Sequence, residues 1–157
     1  MTSSTGASMA TSPPSLGLRS IAYLIVFVRD MRRSLAFYRD KVGLPLRAES
    51  PNWIEFDLRG TTLALHPEVE LPAGMQRPQR LPAGRAGIGT EVVFYAPDPL
   101  ATRDELLGRG VRVAKPKMVH DSDDQVGIAC LFEDLDGNVL SLYGIVPKHV
   151  WNGVAAG

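Results

Sequence analysis

Residues 21–43 read IAYLIVFVRDMRRSLAFYRDKVG, and this stretch decides the fold. Ile21–Val28 is a continuous apolar run rich in β-forming residues, the pattern of a central strand. Asp30 then offers a side-chain oxygen to the first turn of a helix. Met31, Leu35, Tyr38 and Val42 recur at helical spacing, and Gly43 stops the helix. The same order returns further on. Glu91–Tyr95 (EVVFY) is a second strand, Asp98 a second cap, Pro99 the first helical residue and Gly110 the stop. The chain therefore contains a duplicated unit, and the duplication outranks any single motif.

Working outward, Leu44–Ala48 predicts a short strand after the first helix. Trp53–Leu58 alternates apolar and polar residues, Arg59 and Gly60 turn the chain, and Thr62–His66 completes a hairpin. In the second unit, Val111–Val113 predicts a short strand, followed by a polar loop through Gln125. Val126–Phe132 and Val139–Tyr143 then form a hairpin around Asp136, Gly137 and Asn138. The boundaries expected are a disordered tail over 1–18 and a domain over 19–146. That domain divides into unit one (19–66), a linker (67–89) and unit two (90–146), with a C-terminal tail over 147–157. The fold class is α+β, two tandem βαβββ units whose curved mixed sheets border a cleft. Each helix covers one sheet face, so the other faces are left to line that cleft with alternate residues.

Composition excludes several functions. Seventeen Lys and Arg balance seventeen Asp and Glu, and no basic run points to nucleic acid or an anionic membrane. Cys130 is the sole cysteine, so no internal disulfide is possible; it reads as a small core residue. The run Ile21–Val28 is too short to span a bilayer. Met1–Leu18 lacks the charged start and apolar run of a signal peptide, so a cytoplasmic location is expected.

Two segments carry a family resemblance. SLAFYRDKVGL (34–44) and FEDLDGNVLSL (132–142) resemble the helix and closing hairpin of the vicinal-oxygen-chelate superfamily, which groups glyoxalases, bleomycin-resistance proteins and extradiol dioxygenases. The likeness runs from Ile21 to Tyr143. Enzymes of that superfamily hold a divalent metal with one ligand from each outer strand of each unit. Carried over by position, those places fall on Tyr23, Ala64, Glu91 and Ser141. Alanine offers no donor, and serine and neutral tyrosine are poor ones. Glu91 and the displaced His66 make two, where a catalytic zinc has three. The resemblance thus implies a protein with no metal or other cofactor.

Strand alternation places Tyr23, Ile25, Phe27, Trp53, Glu55, Asp57, Thr62, Ala64, His66, Glu91, Val93, Tyr95, Ser141 and Tyr143 on the cleft side. Of these, Tyr23, Phe27, Trp53, Ala64, His66, Tyr95, Ser141 and Tyr143 are the candidate ligand-binding residues, with Glu91 the candidate catalytic one. Aromatic walls suit flat molecules. The leading expectation is a metal-free protein that binds or sequesters a small, partly aromatic drug or metabolite. The alternatives are a lyase, isomerase or dioxygenase with an altered metal site at Glu91 and His66, or a metal-free enzyme with Glu91 as general base. His120, beside Asp121, Asp123 and Asp124, lacks EF-hand spacing and reads as part of a flexible loop. His149 and Trp151 fall in the C-terminal tail. Exposed sheet edges predict a homodimer, side by side or with units exchanged.

Overall fold

The two capping aspartates do what their positions require. Asp30 Oδ1 accepts a hydrogen bond from Arg33 N at 2.9 Å, and Asp98 Oδ1 accepts one from Ala101 N at 3.0 Å. Each fixes a helix directly after a strand. A computed structural model describes residues 16, 21–69, 72–74 and 90–155 of the 157. The expected tail over 1–18, apart from Leu16, and most of the linker over 67–89 lie outside the described residues.

Unit one runs β1 (Tyr23–Val28), α1 (Met31–Ala36), β2 (Leu46–Ser50), β3 (Trp53–Leu58) and β4 (Thr61–Pro67). Beyond Ala36, α1 widens into a π-helical turn over Phe37–Lys41, where Val42 N donates to Phe37 O at 3.0 Å. Gly43 then takes φ +81°, which a side chain would resist. Unit two runs β5 (Val92–Tyr95), α2 (Pro99–Gly108), β6 (Lys117–Asp121), β7 (Gln125–Glu133), β8 (Val139–Pro147) and α3 (Lys148–Ala155).

The sheets share one topology. Their orders are β1-β4-β3-β2 and β5-β8-β7-β6, each with a parallel pair first and antiparallel pairs after it. Even the irregularities correspond: the register shifts between Leu46 and Ala48 in β2, and between Met118 and His120 in β6. Two tandem βαβββ units are therefore present.

Three expectations need correction. The apolar Val111 and Val113 are buried but do not form a strand, and Val113 makes only an isolated bridge to Phe132. The fourth strand is instead β6, inside the segment read as a polar loop. All its residues are exposed, its two apolar residues Met118 and Val119 included, and it is held by β7. Finally, the segment read as a C-terminal tail contains α3. Its Trp151 packs with Leu100 on a small buried cluster of Val126, Ile128 and Val146.

One continuous buried cluster lies on the helix-covered sides of both sheets. Val26, Val28, Leu35, Phe56 and Leu65 of unit one join Val92, Leu106, Cys130, Phe132 and Leu140 of unit two. Burial at about 25 cal/mol per Å² of apolar surface makes this shared core the principal stabilising contact. Polar bonds reinforce it. Arg29 N donates to Asp136 Oδ1, Asn138 Nδ2 to Phe27 O, and Arg109 Nη1 to Lys41 O. The units thus meet through helices and the β7–β8 turn, leaving the opposite sheet faces open.

Candidate functional site

On unit one the open face follows from strand alternation. Val26 and Val28 turn into the core, so Tyr23, Ile25 and Phe27 project outward and are exposed. Ile25 pairs with Ala64, and Ala64 with Glu55, which sets the fully buried Ala64 in the middle of the floor. Around it runs a chain of four rings. Tyr23 meets Trp53 at 5.5 Å, Trp53 meets His66 at 5.9 Å, and Phe27 meets His66 at 5.9 Å. All three contacts are edge-to-face, each worth about 0.5–1.5 kcal/mol beyond area burial.

A polar network fixes this cluster. Trp53 Nε1 donates to Glu55 Oε1 at 2.7 Å, and Arg47 Nε lies 3.0 Å from Glu55 Oε2. Arg47 Nη1 donates to Thr62 Oγ1 at 3.2 Å. The Trp53 indole therefore cannot rotate without breaking a hydrogen bond to a charged group. His66 Nδ1 sits 2.7 Å from the Pro67 carbonyl oxygen. Because a carbonyl only accepts, Nδ1 carries the hydrogen of this bond.

Unit two presents a sparser face. Val93 pairs with Ser141 and Tyr95 with Tyr143, so these four side chains share one side of the sheet. Val93 is 55 % exposed and Tyr95 69 %. Ser141 is only 1 % exposed, and its Oγ is the buried side-chain atom without a hydrogen-bond partner among the described residues. Tyr143 lies across Gly127, where an added Cβ would sit 3.1 Å from the tyrosine Oη and 3.0 Å from His120 Cβ. Glu91 is exposed and stands one residue ahead of β5, on the same alternation as Val93 and Tyr95.

The structure thus assembles Tyr23, Phe27, Trp53, Ala64 and His66 on one sheet, and Tyr95, Ser141 and Tyr143 on the other. No ring contact, hydrogen bond or ion pair links the two sets among the described residues. Asp57 is exposed, in register with Thr62. One residue of these faces escapes the sequence reading and another is misplaced by it. Arg47 is brought there by the bulge in β2, which no sequence pattern announces. His120 stands opposite Gly127 in β6, not on a loop.

A metal fits poorly at the four corresponding positions. Ala64 has no donor atom, Tyr23 is engaged in ring packing, and Glu91 stands outside its strand. Among the described residues, no three His, Cys, Asp or Glu side chains group as a metal ion would require.

The family model for the Glyoxalase/Bleomycin resistance protein/Dioxygenase superfamily matches residues 20–142. An uncharacterized protein of Bacillus subtilis, YetH, is 26 % identical over 133 residues, covering 80 % of this chain and 98 % of its own. TnmS3, an antibiotic binding protein from Streptomyces sp. CB03234, superposes with TM-score 0.59 and 26 % identity, over 83 % of this chain and 98 % of its own. A glyoxalase/bleomycin resistance protein from the same strain gives TM-score 0.54 and 29 % identity, over 78 % and 98 %.

Proposed function

We propose that this chain, which belongs to the Glyoxalase/Bleomycin resistance protein/Dioxygenase superfamily, binds a small, partly aromatic molecule and holds it without metal chemistry. The observation that carries the reading is the ring chain Tyr23–Trp53–His66–Phe27, open to solvent and fixed through Glu55. Rigid aromatic surface left wet is unfavourable unless something covers it. A flat ligand would lie against these rings, over the shallow floor that Ala64 leaves. The buried hydroxyl of Ser141 supplies an unsatisfied hydrogen-bonding group on the other face. The resemblance to an antibiotic binding protein supports sequestration over turnover.

The cleft is completed by a second copy of the chain. Tyr95 and Val93 on one face, and Tyr23, Ile25 and Phe27 on the other, form the apolar walls that a homodimer brings together around the ligand. No helix among the described residues is long and apolar enough to cross a membrane, and a cytoplasmic location is part of the proposal.

Calorimetric titration of the purified protein with flat aromatic antibiotics, beside metal analysis of the same sample, tests the reading. Micromolar binding that is lost in Trp53→Ala, with no stoichiometric metal, is the expected result. Tightly held metal at Glu91 and His66, or metal-stimulated turnover of a thiol hemiacetal or catechol, would overturn it.

A further inference from the structure

Arg47 is the residue that the bulge between Leu46 and Ala48 sets apart from the regular ladder. Bulges re-aim side chains, and this one lays a guanidinium beside the aromatic cluster. Its Nε faces Glu55 Oε2 and its Nη1 faces Thr62 Oγ1. A guanidinium has five N–H donors, so these two contacts leave most of its donors unused by this network. The pair is also polarised. The Glu55 side chain is 11 % exposed with both oxygens occupied, whereas the Arg47 side chain remains 48 % exposed. The negative end of the ion pair is turned inward and the positive end outward. In unit two the corresponding bulge holds Val119, an exposed apolar residue.

We propose that Arg47 recognises an ionised oxygen on the ligand, so that the bound molecule is a flat aromatic carrying a carboxylate, phenolate or enolate. The inference rests on the aromatic-ligand reading above and adds the charge and the end of the face at which it binds. A guanidinium already held by Glu55 and Thr62 loses little freedom on meeting an oxyanion, and its fork fits two oxygens at once. The apolar Val119 offers no such partner, so the charged end of the ligand is directed to unit one.

The test uses the full chain, labelled with nitrogen-15, and two probes of equal shape, 2-naphthoate and 2-naphthamide. The Trp53 indole N–H resonance, assigned with Trp151→Phe, reports binding at the bond to Glu55. Naphthoate is expected to bind at least tenfold more tightly than naphthamide. The double variant R47M/E55Q removes both charges together, so no buried carboxylate is left alone. In it the preference of naphthoate over naphthamide should vanish, whatever the absolute affinities, and circular dichroism should confirm folding. Equal affinity of the two probes, or a preference that survives in R47M/E55Q, overturns the role of Arg47 and leaves the aromatic reading standing. If neither probe moves the resonance at millimolar concentration, the aromatic reading fails and this inference fails with it.

Discussion

The phenolic hydroxyl of Tyr38 donates a 2.7 Å hydrogen bond to Asp134 Oδ2, tying the helix of unit one to the hairpin of unit two. Both residues are buried. Asp134 also accepts from Asp136 N, Asn138 N and Asn138 Nδ2, so one carboxylate organises the turn and the junction between units. Burial, followed by the charge of Asp134, drives the Tyr38 hydroxyl far above its ordinary acidity range.

Alkali should therefore loosen the junction. The folded-state pKa of Tyr38 is raised, so its contribution is fully present below the unfolded value of about 10 and is lost as pH climbs above it. Tyr38→Phe should cost about 1–3 kcal/mol at neutral pH, because Asp134 loses a buried donor. Urea midpoints between pH 7 and 11 check both statements. Wild type should fall more steeply than Tyr38→Phe above pH 10, and parallel curves would contradict the assignment.

Ser141→Ala should leave the free protein as stable as before, or more stable by about 1 kcal/mol. The substitution removes a buried hydroxyl that lacks a partner. The same change should weaken ligand binding. Thermal denaturation with and without ligand separates the effects, and a loss above 1 kcal/mol in the free protein would mean that the hydroxyl is satisfied.

Gly144→Ala should be severe. An added Cβ would lie 2.3 Å from the Ala96 carbonyl oxygen and 2.8 Å from two Pro99 ring carbons, where α2 starts against β8. The backbone must give way, at about 3 kcal/mol or more. Gly153→Ala makes the contrast. Nothing lies within 4 Å of the new methyl, and α3 should gain roughly 0.5–1 kcal/mol of helix propensity. Chemical denaturation of the two variants should move in opposite directions.

Glu91→Gln should fold normally, within about 0.5 kcal/mol of wild type, since Glu91 is exposed and precedes its strand. Ligand affinity should change while stability does not. Calorimetry and a melting curve on the same preparation decide it.

Sedimentation at micromolar concentration should give a dimer. Tyr95→Asp, which puts a charge on an apolar face at a residue that is 69 % exposed, should shift the protein to monomer without unfolding it. A monomeric wild type would remove the proposed cleft.

Local chemistry made much of this fold legible. Asp30 and Asp98 cap, Gly43 and Gly110 adopt positive φ, and Gly60 and Gly137 do so beside the hairpin turns; each role needs only nearby backbone. What escaped depends on distant partners. Strand β6 reads as loop because its sequence, KMVHD, has two adjacent apolar residues among polar ones and no alternation; it is ordered by β7. Helix α3 contains Gly153 and lacks a cap signal, yet Trp151 finds the Val126 cluster. On the candidate faces, alternation placed the residues, but neither the Arg47 bulge nor the openness of the faces is written in any local pattern.

The paired bulges in β2 and β6 have a consequence for polymerisation. Both strands are the outer edges of their sheets, and a bulged edge offers a neighbouring chain a broken row of donors and acceptors. Strand-by-strand growth into a filament stalls there. At these two edges, at the same place in both halves, the ladder on which aggregation would grow is interrupted.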